Sequence, residues 1–159
     1  MTVKAAADIL VRTRQSLYDL VKDLTQSQWF EQPEGFANNI AWNVGHLVLA
    51  QQGLTYTRLG LKPDITRQYA KMYSPGTSPA DWEMKPDTDD LLDKLVSLSQ
   101  KLADDVAAGV FDGLELPTES PIPQMPVPES IEHAMIFNQY HEGMHLGVIV
   151  SLMDNIKEA

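Results

Sequence analysis

In four separate stretches of this chain, apolar residues recur at alternating steps of three and four, and no stretch shows the strict alternation of a half-buried strand. That rhythm places one apolar residue per turn on a single helix face, and such a face must be buried against another element. The first stretch covers about residues 2–24, with Ala6, Leu10, Thr13, Leu17, Leu20 and Leu24 as its ladder. The second opens at Asn38 and Asn39, whose side chains suit an N-cap, and continues to Gly60, a residue suited to leaving a helix. The third starts near "KPDTDD" and runs through Leu91, Leu95, Leu98, Leu102 and Val106 to Gly109. The fourth starts between Pro128 and Ser130 and continues to about Lys157.

Two long connections separate these stretches. Residues 61–86 carry a turn signal at Pro75 and Gly76 and three aromatics, Tyr69, Tyr73 and Trp82, expected to pack on one end of the helices or to cover it as a lid. Residues 110–128 end in "PTESPIPQMPVP", which holds five of the ten prolines and should be extended, because proline fixes φ and biases its predecessor away from helix. Its Pro123–Pro126 spacing reads as a rigid crossover in preference to a peptide ligand for a partner protein. The expected fold is therefore all-α, a four-helix bundle with long crossover connections. At 159 residues it should form one domain spanning 1–159.

Composition removes several function classes. There is no cysteine, so disulfides, thiolate metal sites and cysteine nucleophiles are excluded, and any metal must be held by His, Asp or Glu. Twenty-two acidic against twelve basic residues give a net charge of −10, which repels nucleic acid and anionic membranes. No segment approaches the ~18 consecutive apolar residues of a membrane span. Asp8 and Arg12 interrupt the N-terminal stretch before a signal-peptide core could form. A cytoplasmic protein with neither nucleic-acid nor membrane partner is expected.

The histidines carry the chemistry. On the fourth stretch Ile131, Ala134, Asn138, His141, His145, Val148 and Leu152 advance by three and four without a break, a core seam whose middle members are polar. On the second, Asn39, Trp42, His46, Leu49, Gly53 and Tyr56 keep the same rhythm. His133 lies about 80° around the helix from His141, and should face solvent. A buried imidazole needs partners for both nitrogens, and a metal resolves that need for several at once. His141 and His145 sit one turn apart on one face, and His46 reaching across would complete three neutral ligands around a divalent metal with a coordination position left open. The other reading makes the histidines a hydrogen-bonded polar layer that fixes helix register.

"HEGMH", residues 141–145, also spells the zinc-protease motif H-E-x-x-H. That mechanism takes a third ligand from beyond the motif helix, where no histidine follows His145 and where Asp154 and Glu158 would lie too far along the same helix. Glu142 falls beside the seam and should be solvated or hold a ligand from outside. Asn138, one turn before His141, and Asn43, beside His46, are candidates to orient a ligand or substrate.

"NNIAWNVGHLVLAQQ" around His46 and "HEGMHLGVI" from His141 resemble the two signature helices of the DinB-like (damage-inducible) superfamily, and "YSPGTSP" resembles the loop after its second helix. The resemblance implies a four-helix bundle, commonly dimeric, with zinc, nickel or iron held at the positions of His46, His141 and His145. It also implies thiol-dependent chemistry on a small-molecule substrate, with a low-molecular-weight thiol such as bacillithiol or mycothiol, or metal-dependent hydrolysis. One departure is Val148, where relatives often have glutamine; it takes a polar group from the pocket. The competing expectation is a non-catalytic stress-response or binding module, and a peptide-binding scaffold built on the proline-rich crossover is a third.

Overall fold

The computed structural model describes residues 2–117 and 128–156. Within them the chain is all-helical: α1 (Val3–Val21), α2 (Gln26–Phe30), α3 (Ile40–Thr55), α4 (Arg67–Tyr73), α5 (Thr88–Ala107) and α6 (Ile131–Asn155). The four long helices start at side-chain caps. Thr2 accepts from the Ala5 N–H at 3.2 Å, Asn39 from Trp42 at 2.9 Å, Asp87 from Asp89 at 2.9 Å and Ser130 from His133 at 3.2 Å. After α3 a 3-10 turn, Thr57–Leu59, leads to Gly60 at φ 72°, and α5 is followed by Gly109 at φ 73°. Gly109 is therefore the exit expected of it, whereas α3 ends at Thr55, short of the expected Gly60, which closes the 3-10 turn instead.

Three expectations need correction. The connection 61–86 is not a plain loop, for it contains α4 and a 3-10 turn, Pro79–Asp81. Likewise α2 follows α1 with Thr25 and Gln28 forming a reciprocal cap, and buries Trp29. Elements this short show too little periodicity to be read from sequence. The third correction is the register of α1, whose buried face is Ala6, Ala7, Leu10, Arg14, Leu17 and Val21; Thr13 and Leu24 are half-buried and Leu20 is exposed. Steps of four, four, three and four follow the helix's 3.6-residue turn better than the apolar ladder did. An arginine holds the position of Thr13 because it has a buried partner. Lys157 and most of the proline-rich crossover, with its Pro123–Pro126 spacing, lie outside the described residues.

α1 packs against α5 and α6, and α3 packs against the same two, so the long helices form a closed four-membered arrangement with α4 laid on α3. α3 is the most enclosed: every residue from Ile40 to Val48 is buried. One apolar cluster gathers Leu17, Val21, Trp29, Leu47, Tyr73, Leu95, Ile149 and Leu152; another gathers Ala6, Leu10, Tyr56, Leu102, Phe111 and Met135. On α1 and α6 the buried polar residues, Arg14 and the group Asn138, His141, Glu142 and His145, fall between the two clusters. Among the described residues no helix is long and apolar enough to cross a membrane.

Candidate metal centre

His46 comes from the middle of α3, and His141 and His145 come from successive turns of α6. Asn43 meets His145 and His46 meets His141, so the two helices run antiparallel past one another at this level. All three imidazoles are buried, 7–8% exposed, and their ring centroids lie 4.5–5.0 Å apart. One ring nitrogen from each falls within 4.8 Å of the others.

Hydrogen bonds behind the rings decide which nitrogen is free. His46 Nδ1 lies 2.7 Å from the Tyr73 carbonyl oxygen, so it must carry the proton and donate, which leaves the lone pair on Nε2. His145 Nδ1 lies 2.8 Å from Asn43 Oδ1. The Asn43 amide nitrogen in turn donates to the Asn39 carbonyl at 2.8 Å, which fixes the oxygen toward the ring. His145 is therefore also protonated on Nδ1. Both Nε2 lone pairs are thus left free, as they must be to share an ion.

Burial keeps these rings neutral. It pushes the pKa of His46 down from its ordinary value, against the opposing bond to Tyr73. His141 is lowered to about 3 by burial, then by His145, His46 and Arg14, and His145 to about 4 by burial, then by His46 and Arg14. At neutral pH the cluster offers lone pairs without first having to release protons.

His46 Nε2 and His141 Nε2 stand 3.2 Å apart. Two imidazole nitrogens each about 2.0–2.1 Å from one tetrahedral ion would be separated by about 3.3 Å, so the spacing fits. His141 Nδ1 is buried without a partner. The residues present therefore fit a divalent cation: three neutral donors gathered within 4.8 Å, two with free Nε2 lone pairs, and one pair at ligand spacing. Trp42 stacks on His46 with centroids 4.7 Å apart and planes 8° from parallel, walling one side of the site. Its indole N–H donates to Thr77 Oγ1 at 3.0 Å, pinning the "SPGT" turn over α3.

Of the residues singled out from sequence, His46, His141, His145, Asn43 and Asn138 are all buried in this layer, and His133 is exposed. The solvated state considered for Glu142 is overturned, for the residue is 1% exposed. Arg14 Nε donates to Glu142 Oε2 at 2.7 Å, an Arg14 terminal nitrogen donates to Oε1 at 2.6 Å, and the same nitrogen donates to the Leu47 carbonyl at 2.8 Å. Burial pushes the Glu142 carboxyl up and the guanidinium opposes it. The two-point contact is that of a carboxylate, ionised by its partner. Of the aromatics, Tyr69 and Tyr73 belong to the core and Trp82 packs against it, which is the packing role.

Three contributors were missed. Arg14 could have been found, since a charge on a core seam demands a buried counter-charge. The Tyr73 carbonyl could not, because a backbone acceptor carries no sequence mark. Gly45 is the third: a Cβ there would fall under 3.0 Å from three ring atoms of Tyr73, so only glycine lets that tyrosine approach α3 and bring its carbonyl to His46.

The arrangement defines a class, all-helical proteins with a buried three-histidine cluster that could hold a metal ion. The chain belongs to the DinB superfamily, whose sequence model matches residues 9–149 and so spans Arg14, both asparagines, Glu142 and all three clustered histidines. A comparison with curated proteins finds no match.

Proposed function

We propose that this DinB-superfamily protein is a metal-dependent enzyme acting on a small molecule, with His46, His141 and His145 as the ligands of one zinc, nickel or iron ion. The observation that carries the proposal is the pair of fixed tautomers, which leave the Nε2 lone pairs of His46 and His145 free in a cluster with His141. A divalent ion held there supplies Lewis acidity toward a nucleophile, either a low-molecular-weight thiol or water. The chain's own residues do the rest. The Tyr73 carbonyl and Asn43 Oδ1 hold the Nδ1 protons and fix the rings, while Trp42 and the surrounding core exclude bulk water. Three neutral ligands leave the ion's charge uncompensated, which favours an anionic thiolate or hydroxide over a neutral ligand. The test is to load the protein with each metal in turn and assay thiol transfer to small electrophiles alongside ester and amide hydrolysis. Turnover by natural protein and none by His141→Ala supports the proposal; no turnover in any combination contradicts it.

One observation favours a second reading, the non-catalytic module. The 3.2 Å contact between His46 and His141 also suits a hydrogen bond in which His141 Nε2–H donates to His46 Nε2, as in a structural polar layer. In that case His141→Ala lowers folding stability equally with and without metal.

The proposal includes a homodimer. Its support is the outer face of α6, where Ile136, Tyr140, Met144 and Val150 are exposed and no exposed charge lies between His133 and Asp154. On a chain of net charge −10, two copies can meet there without like charges in contact.

A further inference from the structure

Two of the three clustered histidines have an oxygen behind them, and the third does not. His141 Nδ1 has no hydrogen-bond partner, and neither does Asn138 Oδ1, which is fully buried three residues earlier on the same helix. Residues at this spacing are neighbours on one helix face. If His141 ligates through Nε2, its Nδ1 carries a proton and becomes a buried donor that needs an acceptor. Among the buried side chains of the described residues, the oxygen without a partner on that face is Asn138 Oδ1.

The orientation of Asn138 is not arbitrary. Its amide nitrogen donates to Glu142 Oε1 at 3.4 Å, and an ionised carboxylate can only accept. The nitrogen must therefore face Glu142, which turns the oxygen away. Glu142 is held ionised by the two-point contact from Arg14, itself 1% exposed and anchored on the Leu47 carbonyl. A charge on α1 thus sets a carboxylate on α6, and the carboxylate sets an amide one turn from a metal-ligand candidate.

We propose that Arg14, Glu142 and Asn138 form a positioning chain whose end, Asn138 Oδ1, takes the Nδ1 proton of His141 as a hydrogen bond, directly or through one water, when His141 binds the ion. This deepens the metal-site proposal and rests on it. Asn138 plays toward His141 the part that Asn43 plays toward His145, and the buried Arg14–Glu142 ion pair in the same layer holds it in place. The rival partner is Gln51 Nε2, a buried donor also lacking a partner, which the antiparallel pairing of α3 with α6 brings near the level of Asn138. It is the less suited of the two, because pairing it with Asn138 would leave the His141 proton unanswered.

The experiment compares zinc affinity, by competition with a chromophoric chelator, in the full-length natural chain, Asn138→Leu, Gln51→Leu and the paired replacement Arg14→Met with Glu142→Leu. Thermal melts without metal report folding for each. Imidazole 15N spectra of the zinc form report the His141 Nδ1 proton, a signature that a purely structural role would not move. Loss of a hydrogen bond behind a ligating histidine lowers metal affinity by about 10–100-fold, and that loss is expected for Asn138→Leu and for the paired replacement. A slowly exchanging His141 Nδ1 proton is expected in the natural chain and in Gln51→Leu, and its loss in Asn138→Leu. Unchanged affinity in a folded Asn138→Leu, or an equal loss in Gln51→Leu, overturns the positioning chain and leaves the three-histidine site standing. Should Asn138→Leu not fold, the paired replacement decides by the same criterion. A natural chain that binds no zinc, nickel or iron overturns both.

Discussion

Acid should unfold the metal-free protein through its histidine layer, and the size of the effect follows from the burial of the rings. His141 and His145 ionise near 6.5 in an unfolded chain but only at about 3 and about 4 in the folded one. The unfolded state therefore binds the protons first, and stability is fully present above pH 6.5 and is lost as pH falls below it toward the folded values. Between pH 7 and pH 5 each of these two histidines removes about 2 kcal/mol, so the pair removes about 4 kcal/mol. His46, lowered in the same direction by burial, adds to the loss. Against a total stability of about 5–15 kcal/mol for a domain, this is a large fraction. The assay is urea unfolding of chelator-treated protein at pH 7, 6 and 5, set beside the double variant His141→Leu with His145→Leu. Comparing the two cancels the carboxylates, which titrate in both. The natural chain should lose about 4 kcal/mol more than the variant over that range. Equal pH slopes would refute the reasoning, because the rings would then be solvated or already paired with protons.

Other substitutions probe the supports of the site. Arg14→Ala leaves Glu142 buried without a counter-charge and should cost about 3–5 kcal/mol, whereas Arg14→Met with Glu142→Leu should cost far less; equal losses in denaturant unfolding would argue against a buried ion pair. Gly45→Ala forces Tyr73 off α3 and should cost about 1–3 kcal/mol and weaken metal binding. On the same helix nothing lies within 4 Å of a Cβ at Gly53, so Gly53→Ala should be neutral or stabilising by up to about 1 kcal/mol, and thermal melts showing the same sign for both would contradict the packing described. His133→Ala, at an exposed position, should leave metal content and melting unchanged. Tyr140→Glu places a charge on the outer face of α6 and should yield monomers in analytical ultracentrifugation if two copies meet there.

The long helices and the histidine cluster were legible in the sequence for the same reason: period and register are properties of residue order. The seam steps of α6 put His141 and His145 inside and His133 outside, and the steps of α3 put His46 opposite them. What failed was local or lay in the backbone. α2 and α4 are too short to build a periodic signal, and their caps, Thr25 and Thr66, are common residues in loops. The α1 ladder was drawn through apolar side chains alone, which shifted it onto Thr13 and Leu20 and hid Arg14. Glu142, one position off the seam, was taken for a residue that could reach water. The two errors were one, because neither charge belongs in a core without the other.

Elemental analysis of untagged protein tests the central claim most directly, comparing the natural chain with His46→Ala, His141→Ala and His145→Ala. The account predicts about one zinc, nickel or iron per chain, lost in all three variants and kept in His133→Ala. Natural protein that carries none of these metals, and that neither binds them nor gains melting temperature when they are added, would contradict it and leave the histidines as a polar layer of the core.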